Sequence, residues 1–113
     1  MALDKRFKAI YRYAQISAQK VRPFADLIRG KFADEAFEIL SCYPNRGARM
    51  LEKVLHSAVH NAMDQQRGGR MENIEILDVR VDGGPVQRRW RPKARGSSMP
   101  YMKRTAHISI EVG

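Results

Sequence analysis

Residues 85–104, PVQRRWRPKARGSSMPYMKR, form a stretch that no protein core can absorb. They carry seven basic and no acidic side chains, so +7 of the formal +9 falls in a short segment of the 113 residues. Pro85, Pro92, Gly96 and Pro100 interrupt the segment. Its apolar residues, Val86, Trp90, Met99, Tyr101 and Met102, have neither helical nor sustained strand spacing. Ordering some 20 residues costs roughly 1 to 2 kcal/mol each in backbone entropy, or about 20 to 40 kcal/mol in all. The offset has to come from outside the domain.

Phosphates suit that role. Each charge neutralised releases a counterion, and the guanidinium forks of Arg88, Arg89, Arg91, Arg95 and Arg104, with Lys93 and Lys103 beside them, match phosphate oxygens. Trp90 and Tyr101 can stack on unpaired bases. If each arm extends about a dozen residues at ~3.3 Å, the tip lies roughly 40 Å from the globular part. The plainer reading is a solvated basic loop. Flanking strands, the absence of acids and a pI near 10.2 favour insertion into RNA.

The length is that of one domain, residues 1–113, from which residues 83–104 extend as a basic hairpin loop. The excess of 21 Lys and Arg over 12 Asp and Glu would be self-repelling without a polyanionic partner, nucleic acid or an anionic membrane. Cys42 is the only cysteine, which excludes an internal disulfide and the CxxC spacing of a zinc site and fits a reducing, cytoplasmic setting. No apolar run approaches the ~20 residues needed to cross a bilayer. The opening MALDKRFKAIYRYAQIS lacks an apolar core and a cleavage site, so we expect a chain neither secreted nor membrane-spanning.

Periodicity outlines the rest. Residues 8–16 read as a strand that breaks at Ser17, a helix N-cap. Val21, Phe24, Ala25 and Ile28 have helical spacing up to Gly30, and Pro23 should kink this helix or delay its start, with the regular helix mainly after it. Ala33–Ser41 is a second helix with Asp34 and Glu35 in its first turn, ended by Pro44 and Asn45. The third is the spine: Ala48, Leu51, Val54, Leu55, Ala58, Val59 and Ala62 form one stripe, with Gly68 and Gly69 beyond its end. Ile74 and Ile76 are out of phase with Val79 and Val81, which calls for a bulge at Leu77 and Asp78 or a late strand start. Ile108, Ile110 and Val112 alternate with polar residues as in a half-buried strand.

Chemistry at a catalytic site finds little support. His56 and His60 lie at i and i+4, as two metal ligands would, but Ser57 stands where HExxH has its glutamate and no third ligand is evident. Ser17, Ser41 and Ser57 lack a glycine elbow, no GxxxxGK loop is present, and Cys42 fits a buried small residue. The expectation is no enzyme, no cofactor and no metal. A helix-turn-helix nucleic-acid binder turning at residues 43–47 is the alternative. Against it, Arg46, Arg49 and Lys53 are the main basic residues of the third helix, and the loop holds most of the excess charge. A membrane-active helix would concentrate Lys and Arg on itself, whereas Pro and Gly break the basic stretch, so no membrane partner is expected.

The segments QISAQKVRPFADLIRGK, EAFEIL, KVLHSAVHNA, VDGGP, RPKARG and KRTAHISIEV, in this order and spacing, resemble the universal large-subunit ribosomal protein family numbered twenty-two, bacterial type. The resemblance covers nearly the whole chain. It implies an α+β fold, three helices packed on a small antiparallel sheet with a long protruding basic β-hairpin. It implies a structural part of the large ribosomal subunit, with large-subunit ribosomal RNA, neighbouring large-subunit ribosomal proteins and the nascent polypeptide in the exit tunnel as partners. Family contact positions fall on Ser17, Lys20, Arg22, Arg29, Lys31, Arg88, Arg89, Lys93, Arg95, Lys103, Arg104 and His107, to which the loop itself adds Trp90 and Arg91. The tip in the tunnel wall would be Arg91, Pro92, Lys93, Ala94, Arg95 and Gly96. Gly83 where the family usually has an acid, Pro23 where it has an aliphatic residue, and SSMPY at 97–101 depart from its pattern. These departures bear on the returning hairpin arm and on the first helix.

Overall fold

The apolar stripe of residues 48–62 becomes the centre of the molecule. The computed structural model describes residues 6–65, 74–92 and 94–113. Their order is β1 (Phe7–Ala14), α1 (Ala18–Ile28), α2 (Ala33–Ser41), α3 (Arg46–Gln65), β2 (Ile76–Gly83), β3 (Gln87–Pro92), a 3-10 turn (Ala94–Gly96), β4 (Ser98–Lys103) and β5 (Ala106–Val112). Antiparallel pairing gives a three-stranded sheet, β1-β5-β2, and a separate two-stranded ribbon, β3-β4. This is an α+β fold with a basic hairpin.

All seven residues of the α3 stripe are buried, and α3 packs against β1 and β5 while α1 packs against β2. Along β5, Ala106, Ile108, Ile110 and Val112 are buried and the residues between them are half-buried, so the helices cover one face of the sheet. Among the described residues no polar or charged side chain is buried. The described core is purely apolar, and none of the described cations is buried in it.

Two expectations are corrected here. Helix α1 does not wait for Pro23 but starts at Ala18 and runs through it. The proline lies on the exposed side, so the Gln19 carbonyl it leaves without a donor is reached by water, while Val21, Ala25 and Ile28 hold the buried side. Cys42 is exposed rather than buried, its Sγ donating to the Glu38 carbonyl at 3.3 Å beyond the end of α2.

The bulge expected in β2 is present. Ile76 pairs with Val112 and Asp78 with Glu111, so Leu77 is the extra residue, and Ile76, Val79 and Val81 all reach the core despite their mismatched phase. β1 has its own irregularity between Tyr11 and Ala14, where Tyr13 takes a φ of 59°. Gly68 and Gly69, expected beyond the end of α3, lie outside the described residues. None of the described helices is long and apolar enough to cross a membrane.

Candidate nucleic-acid interface

Where α1 and α3 begin, their first turns cross closely because residue 47 is glycine. A Cβ there would sit 2.8 Å from the backbone oxygen of Lys20. The approach brings Arg46, at the start of α3, beside Ser17 and Lys20 at the start of α1. The foot of the hairpin closes the other side with Met102 and Arg104. The resulting cleft, about 540 Å³, continues into a second of about 570 Å³ that shares Gln15, Arg46 and Arg104 and adds Tyr13, Gln87 and Lys103. Among the described residues no acidic side chain lines either. The Ser17 side chain makes no capping hydrogen bond, so the first turn of α1 adds its partial positive charge to those of Lys20, Arg46, Lys103 and Arg104.

From this root the basic segment leaves as a regular ribbon. Gly84 N–H donates to the Thr105 carbonyl at 2.9 Å, and the Thr105 hydroxyl donates to the Pro85 carbonyl at 2.8 Å. The ladder then runs from Gln87 opposite Lys103 to Pro92 opposite Ser98. The departures at 97–101 therefore leave the returning arm a strand. Arg88, Arg89, Trp90, Arg91 and Pro92 are exposed, as are Ala94, Arg95 and Gly96 at the tip. Arg95 and Gly96 turn the chain with φ of 63° and 73°. Lys93 lies outside the described residues. Segment spacing misleads in one respect: Trp90, Tyr101 and Met102 do occupy strand positions, but on two strands whose alternation is legible only once they are paired.

Of the remaining expected contact positions, Arg22, Arg29 and His107 make side-chain hydrogen bonds within the fold. Arg22 donates through Nε and Nη2 to the Val81 carbonyl at 3.3 Å, and Arg29 donates to the Val79 carbonyl at 2.7 Å and to Asp26 at 2.7 Å. Seven residues apart, one on α1 and one just beyond its end, the two guanidinium groups satisfy carbonyls of the edge strand β2. The structure places them away from the cleft, in a groove they share with Asp26, Asp78 and Asp82. Lys31 is exposed on the linker whose backbone accepts from Ile76 N–H at 2.9 Å. His107 is half-buried at the hairpin root, where its Nδ1 accepts from the Tyr13 N–H.

Arg46, Gln15 and Tyr13 were not singled out as site residues from sequence. Only Arg46 carried a signal, as a basic residue at a helix start, and its nearness to Lys20 depends on the Gly47 crossing. The helix-turn-helix alternative loses its recognition helix, since α3 is the buried spine and Arg49 on its exposed side is paired with Glu52 at 3.0 Å. His56 and His60 are exposed with ring centroids 4.3 Å apart, and among the described residues no group of three or more metal-ligating side chains exists.

Comparison with known proteins places these features in one family. Residues 9–113 match the family described as ribosomal protein L22p/L17e. The chain is 55% identical over 109 residues to the large ribosomal subunit protein uL22 of Rhodopirellula baltica, covering 93% of this chain and 92% of that one. It is 44% identical to the protein of the same name from Finegoldia magna, with 93% of each chain covered. With the match spanning both the helical body and the basic ribbon, the chain belongs to the ribosomal protein L22p/L17e family.

Proposed function

We propose that this chain is a structural constituent of the large ribosomal subunit. In that role it binds large-subunit ribosomal RNA, supports assembly and lines the nascent-peptide exit tunnel with residues 91–96. The observation that carries the reading is the continuity of positive charge. Lys20, Arg46, Lys103 and Arg104 at the root lead into Arg88, Arg89, Arg91 and Arg95 on the ribbon, with no acidic residue among the described ones lining the cleft and none within residues 85–104. The names of its relatives, large ribosomal subunit proteins, point the same way.

In this role residues 1–113 act as one domain and residues 83–104 as its probe. The cleft takes phosphates through Lys20, Arg46 and Arg104, with the Ser17 hydroxyl and the first turn of α1 beside them. The ribbon carries Arg88, Arg89, Arg91, Lys93 and Arg95 into RNA, and counterion release offsets the entropy of holding it straight. Neighbouring ribosomal proteins and the nascent polypeptide are the other partners, and the cytoplasmic ribosome is the place of action. The work is binding and shaping, and the family is one of ribosomal structural proteins rather than enzymes.

Salt dependence tests the proposal. Affinity for isolated large-subunit RNA should fall steeply with salt. Changing Lys20, Arg46, Lys103 and Arg104 to Gln should flatten the log-log slope by about 0.7 for each lost single-stranded contact and about 0.9 for each duplex contact. A slope that survives both this variant and the matching one at Arg88, Arg89, Lys93 and Arg95 would remove the basic surface from the account.

A further inference from the structure

The ribbon has two unlike faces. Residues directly opposite in an antiparallel pair share a face, and neighbours along a strand alternate. The register places Gln87, Arg89, Arg91, Met99, Tyr101 and Lys103 on one side, and Arg88, Trp90, Pro92, Ser98, Pro100 and Met102 on the other. Tyr101 is not an open ring: the Arg91 guanidinium lies over it, 4.5 Å from its centroid. Trp90 is 65% exposed, and the residue directly across from it is Pro100. Both prolines have the same parity in the ladder, which suits positions whose N–H would point away from the partner strand. They stiffen the surroundings of the indole with short, rigid side chains.

We infer that Trp90 is a stacking platform for an unpaired base of the large-subunit RNA, an inference that rests on the RNA-binding reading above. Arg88 on the same face holds a phosphate of that strand. A nucleotide supplies a π face and an anion within one unit, matching an indole with a guanidinium two residues away. An apolar protein surface would instead have to accept Arg88 within the contact. The division of labour is between faces: one cationic and self-covered, the other open and aromatic.

Trp90 is the only tryptophan of the chain, so emission excited at wavelengths beyond tyrosine absorption reports on it alone. The probes are a short single-stranded oligoadenylate, a fully paired RNA duplex and inorganic polyphosphate, each taken to saturation. Oligoadenylate should quench the emission strongly, the duplex weakly, and polyphosphate, which has charge but no bases, not at all. Trp90→Leu should weaken oligoadenylate binding about 5- to 150-fold, while Trp90→Phe should keep most of it. Both variants should bind polyphosphate like the parent, which separates a lost stack from a misfolded ribbon. Oligoadenylate bound without quenching, or bound equally well by Trp90→Leu, would overturn the inference alone. Loss of a neighbouring protein from subunits reconstituted with Trp90→Leu, at unchanged RNA affinity, would also overturn it and assign the face to protein. Failure to bind any of the RNAs would overturn it together with the proposed function.

Discussion

The backbone N–H of Tyr13 donates to Nδ1 of His107 across 3.0 Å, and the two rings meet edge to face at 4.8 Å between centroids. The acceptor role leaves the proton of the neutral imidazole on Nε2, the nitrogen nearest Gly84. Tyr13 reaches this position with a φ of 59°, which an L-residue adopts at a cost of roughly 1 to 2 kcal/mol.

Substitutions at Tyr13 should therefore divide by backbone rather than by size. Tyr13→Ala keeps the strain and loses the ring contact, whereas Tyr13→Gly loses the same contact and relieves the strain. Denaturant unfolding should find the glycine variant more stable than the alanine variant by about 1 kcal/mol. The opposite order would mean that Tyr13 is unstrained in solution.

Gly47→Ala should disturb both stability and binding. The new methyl would press on the Lys20 backbone oxygen, which cannot rotate away, so α1 and α3 must separate. Overpacking of this kind costs about 1 to 3 kcal/mol. Because the separation moves Arg46 away from Lys20, affinity for RNA should also fall under conditions where the variant is fully folded. A variant that is destabilised yet binds RNA as well as the parent would dissociate the cleft from binding.

Arg22 and Arg29 offer the contrast. Each supports a carbonyl of β2, in partly exposed surroundings. Replacing either by Gln should lower unfolding stability by about 1 kcal/mol and leave the salt slope of RNA binding unchanged. A reduced slope at unchanged stability would show that these guanidinium groups turn outward to phosphate instead.

Replacing residues 86–103 by an Asn-Gly turn should leave the free domain folded, with its thermal midpoint moved by less than about 4 °C. No side chain of the described ribbon is buried, so the core loses nothing. The shortened chain should still bind the outer surface of the large subunit, more weakly. If it unfolds in isolation, the ribbon contributes to the core.

Much of this architecture is legible in the sequence, for identifiable reasons. The α3 stripe and the alternation of Ile108, Ile110 and Val112 are repeating signals, and one buried face accounts for each. The slip at Leu77 is legible because the residues on both sides of it must reach the same core. Pro23 misled because a local rule about proline cannot say which side of the helix faces water. The cleft stayed hidden because its cations come from residues 20, 46, 103 and 104, and only a glycine crossing and a strand pairing bring them together. The inward duties of Arg22 and Arg29 stayed hidden for a related reason: composition counts charges, and an arginine bonded to a carbonyl counts the same as a free one.

The joint at Gly84 acts on the tip as a pivot acts on a pointer. Thr105 and His107 crowd the space where a side chain at residue 84 would begin, so the strand can pass only along one line. With roughly ten residues from pivot to tip at ~3.3 Å each, a rotation of about 10° at the root would swing the tip by about 6 Å. Errors of aim grow with distance from the joint, so the accuracy with which Arg95 is delivered is decided roughly ten residues of strand away, at ~3.3 Å each, by the absence of one methyl group.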